Sequence, residues 1–463
     1  MNYLSTQTYL DLSTLQRLYQ SGELKPTQLV ETVYQRIAAC ATPNIWIYLL
    51  PQEQVLAQAE QLEKQRDRAA ALPLYGIPYA VKDNIDVAGH PTTAACPEFS
   101  YVPQENATLV EHLNAAGALL IGKTNLDQFA TGLVGMRSPY GATPNPFNPD
   151  FITGGSSCGS AAAVAAGLVS FALGTDTAGS GRVPAGFTNT VGLKPSRGLL
   201  SMTGVVPACR SLDCVSIFAL TCPDALAVFN VCQKPDPTDP FSRTRPNGLA
   251  TKKLERFRFG VPRPRQLEFF GNRDYQRLFH EGVAQLIDLG GEKVEIDFTP
   301  FEATAQLLYG GPWVAERYAA IKEFISAKPE ALFPVTRAII EGARKFSAVD
   351  AFESYYKLRA YQKQVEPIWQ TIDFLVAPTS GTIYTLAEVE AEPFALNTNL
   401  GRYTNFVNLL DLCAWAVPNG FQPNGLPMGL TLIAPAFQEA TLAGLAAAFQ
   451  QGRVGQRWGA VRL

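Results

Sequence analysis

Residues 154–195 read GGSSCGSAAAVAAGLVSFALGTDTAGSGRVPAGFTNTVGLKP. Two loops rich in glycine and serine flank an alanine-rich run. Gly154-Gly155-Ser156-Ser157 opens an amphipathic run from Ala161 to Leu168, so the free N–H groups of a helix N-terminus face the loop. Val169 to Leu173 reads as a buried strand, ending in Gly174-Thr-Asp-Thr-Ala-Gly-Ser180-Gly181. Glycine in that loop lets backbone amides approach a ligand closely. A second N–H-rich loop at a strand's carboxyl end meets the requirement of an oxyanion hole. Between Thr153 and Gly181 only Cys158 and Asp176 carry side chains with an accessible pKa. A serine is a weak nucleophile until a base takes its proton, so a reacting serine here draws its base from elsewhere. Small residues also mark close helix–strand packing, which implies no chemistry on its own.

Composition narrows the function classes. The chain has 463 residues, of which 47% are hydrophobic and 17% charged, with a net charge of -3. It lacks the basic face that nucleic acid or an anionic membrane requires, and no apolar run reaches transmembrane length. The N-terminus, MNYLSTQTYLDLSTLQRL, has no basic region followed by an apolar core, so no signal peptide is read. The eight cysteines (40, 96, 158, 209, 214, 222, 232 and 413) show no CxxC spacing and suit reduced thiols in a cytoplasmic protein. With three histidines, a zinc site is not expected, and no cofactor motif is found.

Helical periodicity covers residues 9–40 and 53–70. From Leu74 the pattern changes to strand–helix alternation. Tyr79–Lys82 reads as a strand, 107–116 as a helix, 118–122 as a strand, and 123–135 as a loop with a short helix. After a proline-rich stretch beyond Pro235 the chain is helical over 273–290 and 315–369. Apolar strands return at 373–378 and 429–434. Such alternation predicts an α/β fold with a doubly wound, largely parallel sheet, and ligands bind beyond the carboxyl ends of such strands. Lys82, Lys123 and Ser180 each follow a candidate strand there.

The histidines fit a Ser-His-Asp triad poorly. His112 and His280 lie within amphipathic helices, and His90 sits in a turn before Pro91. A lysine serves as base if desolvation brings its pKa toward neutrality. Lys82 and Lys123 both end apolar strands, and spacing alone does not choose between them. Gly154-Gly155 followed by Ser156-Ser157 lacks the lysine of a phosphate loop.

The combination of GIPYAVKDNIDVAG (76–89), the 154–185 stretch and GLKPSRGLLS (192–201) resembles the amidase signature hydrolases, and the likeness runs from about residue 10 to 447. The resemblance implies an α/β amidase signature fold: a mixed, largely parallel central sheet flanked by helices on both faces. It also implies a Ser–cis-Ser–Lys triad. Lys82 would be the general base, Ser156 the bridging serine after a cis peptide, and Ser180 the nucleophile. The N–H groups of Thr177, Ala178, Gly179 and Ser180 would form the oxyanion hole. Lys123 becomes a supporting group, and Asp176 suits loop structure, paired with Arg182.

Segments 124–141, 206–221, 307–318 and 400–437 resemble the branch of the family that hydrolyses allophanate, an N-carboxylated urea. That likeness implies a small anionic substrate held by Tyr309 and Arg317, with a backbone contact from Gly132. It further implies urea degradation with urea carboxylase as functional partner, and a homodimer. Cys158 stands where the family has Gly or Ser. The expected organisation is one amidase domain over 1–463: N-terminal helices 1–72, a catalytic core 73–235, and a pocket-forming, sheet-completing part 236–463. The second C-terminal domain of longer relatives is expected to be absent. Rival readings are another small-amide hydrolase, which would not need Arg317, and an ammonia-supplying component of an amidotransferase.

Overall fold

The computed structural model describes residues 8–65, 69, 71–249, 251–455 and 457–460. Its strands are β1 (Trp46–Leu49), β2 (Pro78–Lys82), β3 (Leu119–Thr124), β4 (Phe171–Asp176), β5 (Val191–Lys194), β6 (Cys214–Ala219), β7 (Phe257–Pro262), β8 (Gly291–Ile296), β9 (Phe374–Pro378), β10 (Leu412–Phe421) and β11 (Pro427–Pro435). They form one sheet of 11 strands in the order β1-β3-β2-β4-β6-β5-β10-β11-β9-β7-β8.

The sheet is mixed, as expected, but its parallel part is smaller than the strand–helix alternation suggests. Parallel pairing is confined to β3–β2–β4 and β9–β7–β8. The remaining neighbours are antiparallel. Only part of this is local: residues 422–426 are too few to cross over between β10 and β11, so the two make a hairpin, whereas β10 meets β5 from a distant part of the chain.

Side chains alternate across β10. Cys413, Trp415 and Val417 join a core that includes Leu442 and Phe449 of the helix Glu439–Val454. Leu412 and Ala414 face the other way, onto a core with Phe301 and Leu358 from the helices Thr299–Gly310 and Ala348–Trp369. Helices therefore cover both faces, and each face buries its own apolar set. No helix among the described residues is long and apolar enough to cross a membrane.

The predicted strands and the 107–116 and 273–290 helices appear within a few residues, whereas the helical stretch 9–40 divides into two helices and 315–369 into the helices Val314–Ala320, Lys322–Ala327, Pro334–Glu341 and Ala348–Trp369. The 53–70 helix spans Gln52–Glu63, and residues 66–68 and 70 of that reading lie outside the described residues. For function the decisive feature is the parallel trio β3–β2–β4. Their carboxyl ends sit side by side, so Lys82, the loop after Thr124 and the loop after Asp176 emerge at one edge of the sheet.

Candidate active site

Lys82 is the last residue of β2, and its side chain is fully buried. Its Nζ donates to Ser156 Oγ at 2.7 Å and to Thr175 Oγ1 at 2.8 Å. Burial pushes the Lys82 pKa down from 10.5 to about 7, although the Asp127, Asp213 and Asp176 carboxylates pull it partway back. An amine with that pKa is neutral in a large fraction of molecules at neutral pH, and a neutral amine accepts a proton.

Ser156 follows a cis peptide bond from Gly155 and stands just ahead of the helix Cys158–Ala165. Residue 155 is necessarily glycine, because a Cβ there would collide with Asp127 Oδ2 and the Gly135 nitrogen. Asp127 organises the surrounding loop. Its carboxylate accepts from the N–H groups of Val134, Gly135 and Arg137 at 3.2, 3.0 and 2.9 Å. Its own N–H donates to the Ser156 carbonyl at 3.0 Å.

Ser180 lies on the loop after β4 and is 2% exposed. Among the described residues its hydroxyl has no hydrogen-bond partner. The backbone N–H groups of Thr177, Ala178, Gly179 and Ser180 likewise meet no protein acceptor. Buried N–H groups are nearly always paired, so four consecutive free donors mark a place built for an external acceptor.

Both sides of this loop are pinned. On one side Arg182 makes a two-pronged pair with Asp176, both bonds 2.9 Å and both side chains fully buried. Arg182 also donates to Thr404 O, and Asn408 donates to Asp176 O. On the other side the Thr177 hydroxyl donates to Asp213, which also accepts from the N–H groups of Ala208 and Cys209. Burial raises the Asp213 pKa to about 6, against the downward pull of those hydrogen bonds. Gly179 has φ +144°, and a Cβ on it would lie 2.7 Å from Thr404 Cβ. Only glycine fits.

A second group forms around Arg317, on the helix Val314–Ala320, which is 2% exposed. Its Nη1 donates to Ala130 O at 3.1 Å and to Thr131 Oγ1 at 2.9 Å, and its Nη2 donates to the Tyr309 hydroxyl at 3.1 Å. Arg317 forms no ion pair among the described residues, and its Nε–H meets no protein acceptor. The Tyr309 hydroxyl proton and the Gly132 N–H are likewise unclaimed. A buried guanidinium without a carboxylate is costly, and this one presents spare donors beside a tyrosine hydroxyl. The group is tied back toward the Ser180 loop. Glu316 accepts from Ser211 N–H at 2.8 Å and Ser211 Oγ at 2.5 Å, two residues from Asp213.

The structure thus joins Lys82 directly to Ser156, and Tyr309 directly to Arg317 beside Gly132. Ser180 sits on the neighbouring loop without a bond to either pair. Lys123 is engaged elsewhere: its Nζ lies 3.1 Å from Asp83 Oδ1 and donates to Pro91 O and Thr92 Oγ1. None of the three histidines contacts Lys82, Ser156 or Ser180, and His90 pairs with Gln54 instead. Cys158 is buried against Gly135, and burial raises its thiol pKa to about 12, so it stays protonated. No group of three or more His, Cys, Asp or Glu side chains among the described residues is arranged to hold a metal.

Three contributors escaped the sequence reading. Thr175 shares the lysine, Asp127 shapes the Gly155–Ser156 approach, and Asp213 anchors Thr177. Thr175 was the most accessible, since the reading ended β4 at Leu173; carried on to Asp176, the alternation sets Thr175 on the same sheet face as Leu173. Asp127 and Asp213 act through loops, where no periodicity signals a partner.

A fully buried lysine bonded to a serine, next to a loop of unpaired backbone donors that carries a second serine, is the arrangement of a serine-dependent amide hydrolase. A family model described as Amidase matches residues 28–443, and the chain belongs to that family. It is 48% identical over 424 residues to the urea amidolyase of Saccharomyces cerevisiae, covering 90% of this chain and 23% of that protein. It therefore spans under a quarter of the length of the urea amidolyases it matches. It is also 35% identical over 482 residues to one component of the glutamyl-tRNA(Gln) amidotransferase of Symbiobacterium thermophilum, covering 96% of each. The solved structure of Kluyveromyces lactis allophanate hydrolase aligns with a TM-score of 0.93 at 43% identity, over 99% of this chain and 75% of that one.

Proposed function

We propose that this protein hydrolyses allophanate, releasing ammonia, with Ser180 as nucleophile, Ser156 as proton relay and Lys82 as general base. The observation that carries the substrate assignment is Arg317: buried, in no ion pair among the described residues, and hydrogen-bonded to Tyr309. Allophanate, H2N–CO–NH–COO⁻, supplies the missing anion. The spare Arg317 donors, the Tyr309 hydroxyl and the Gly132 N–H hold its carboxylate, which leaves the terminal carbamoyl carbon as the point of attack.

The chemistry then runs in two halves. Neutral Lys82 accepts the Ser156 proton as Ser156 accepts that of Ser180, and Ser180 Oγ adds to the carbamoyl carbon. The oxyanion is received by the N–H groups of residues 177–180, donors that need no reorganisation. The proton returns through Ser156 to the departing nitrogen, and ammonia leaves an acyl-enzyme. Water, deprotonated along the same route, cleaves the ester and regenerates Ser180. The other product is N-carboxycarbamate, which loses carbon dioxide. The relay requires the two serine hydroxyls to come within hydrogen-bond reach, a contact that substrate binding tightens.

The substrate must be supplied by a reaction that carboxylates urea on nitrogen. The likeness to urea amidolyases supports a urea carboxylase as the functional partner, and a homodimer is the assembly we infer. The near full-length likeness to the amidotransferase component supports a second reading, in which the same triad supplies ammonia to a partner. Ammonia release by the purified protein alone separates them. Allophanate should be turned over without any partner, and far better than a neutral amide of similar size. Turnover that appears only when a partner is added would favour the amidotransferase reading.

A further inference from the structure

Beyond Tyr309 lies a cavity of about 210 Å³, bounded among others by Arg137, Tyr309, Lys345, Phe394 and Asn397. Arg137 and Lys345 are its charged residues, and no Asp or Glu borders it. A second cavity, of about 150 Å³, shares Tyr309 and Asn397 but contains Glu302 together with Arg402, an ion pair with no excess of either sign. Arg137 is 3% exposed and forms no ion pair among the described residues. Its guanidinium donates to Thr131 O at 2.9 Å and Pro393 O at 2.8 Å. Arg317 holds the hydroxyl of the same Thr131. Two buried cations therefore share one residue, and neither forms an ion pair among the described residues, the Asp127 carboxylate being engaged by backbone N–H groups. Lys345, by contrast, is exposed at the end of the short helical turn Gly342–Lys345.

We propose that this cavity is the vestibule through which an anionic substrate reaches Arg317, drawn in by Lys345 at the rim and Arg137 in the wall. Charge of one sign in a cleft with low-dielectric walls focuses the field and raises the local concentration of the opposite ion. The inner wall is Tyr309, whose hydroxyl already touches Arg317, so an anion admitted here is delivered beside its binding cation. The inference rests on the reading that the substrate is a carboxylate.

Charge reversal at the rim tests it. Lys345→Glu should lower kcat/KM for allophanate about three- to tenfold at ~10 mM salt, where the screening length is about 30 Å, and the deficit should vanish near 1 M, where it is about 3 Å. Lys345→Gln should show a smaller deficit of the same kind. The control is turnover of a neutral amide, acetamide, with oxamate as competitive inhibitor. Lys345→Glu should weaken oxamate inhibition by a similar factor and leave acetamide kcat/KM within twofold. Equal losses on allophanate and acetamide, or a deficit that ignores salt, would overturn the vestibule. A wild-type protein that hydrolyses acetamide but not allophanate would sink the substrate reading instead, and salt-sensitive oxamate inhibition dependent on Lys345 would still support the vestibule.

Discussion

Arg317→Ala removes the cation assigned to the substrate carboxylate and leaves that carboxylate in a buried site with only Tyr309 and Gly132 for company. Truncating one partner of a buried, hydrogen-bonded charge pair costs roughly 2–5 kcal/mol. Because Tyr309 and the Gly132 N–H remain, the lower part of that range applies, about 2–4 kcal/mol. At 1.36 kcal/mol per tenfold this is a loss of about 30- to 1,000-fold in kcat/KM for allophanate. The same change removes three hydrogen bonds to Ala130, Thr131 and Tyr309. Each contributes about 1 kcal/mol to stability, so Tm should also fall. Arg317→Lys restores the charge but not the planar fork and should rescue poorly. The assay is steady-state ammonia release from allophanate and from a neutral amide, with thermal unfolding measured alongside. Acetamide gains nothing from the cation, so its slow turnover should change by no more than a few-fold. Equal losses on both substrates would mean that Arg317 holds the 130–132 segment in place and not a carboxylate.

Activity should rise with pH through about 7 and plateau above it, because Lys82 must be neutral to accept a proton and burial holds its pKa at that value; a rate–pH profile of Lys82→Met should lack this limb. The same residue predicts a stability signature. Between pH 7 and 10.5 the unfolded chain binds the proton that the fold excludes, so wild-type Tm should rise with pH relative to Lys82→Met across that window. Gly179→Ala places a Cβ against Thr404 at φ +144° and distorts the oxyanion loop, so ammonia release should fall at least about 100-fold, the scale of one lost oxyanion donor. Asp224 is buried near Asp11, each with an Oδ2 that has no partner among the described residues, and burial with that neighbouring charge raises its pKa to about 7. A carboxyl raised in the folded state contributes stability at acid pH that is lost as pH rises through about 7. Asp224→Asn should therefore raise Tm at pH 8 and have little effect at pH 4, as read by thermal unfolding.

Lys82, the proposed base, was legible because it sits on a regular element. PYAVK is an apolar strand that must end at a charge, and the reading of Lys82 at its end holds. Choosing between Lys82 and Lys123 was beyond periodicity, since both are fully buried at strand ends. What separates them is a partner remote in sequence: Lys123 meets Asp83, and Lys82 meets Ser156. The strand β8, GEKVEI, alternates weakly and buries only Ile296 at the sheet's edge, so no apolar signal announces it. β1 is short and half-buried for the same reason. The antiparallel centre depends on β5, β6 and β10 converging from distant parts of the chain. Arg137 gave no warning either. It lies in an irregular loop, and its significance rests on its forming no ion pair among the described residues while bordering a cavity, a property of three dimensions only.

The most direct test of the mechanism is where the acyl group goes. The protein is mixed with an acylating carbamate, quenched, digested and mapped by mass spectrometry, in wild-type, Ser156→Ala and Ser180→Ala forms. The account predicts a single label on Ser180, slower labelling in Ser156→Ala because the relay is broken, and none in Ser180→Ala. A label on Ser156 or Cys158, or one that persists without Ser180, would contradict it.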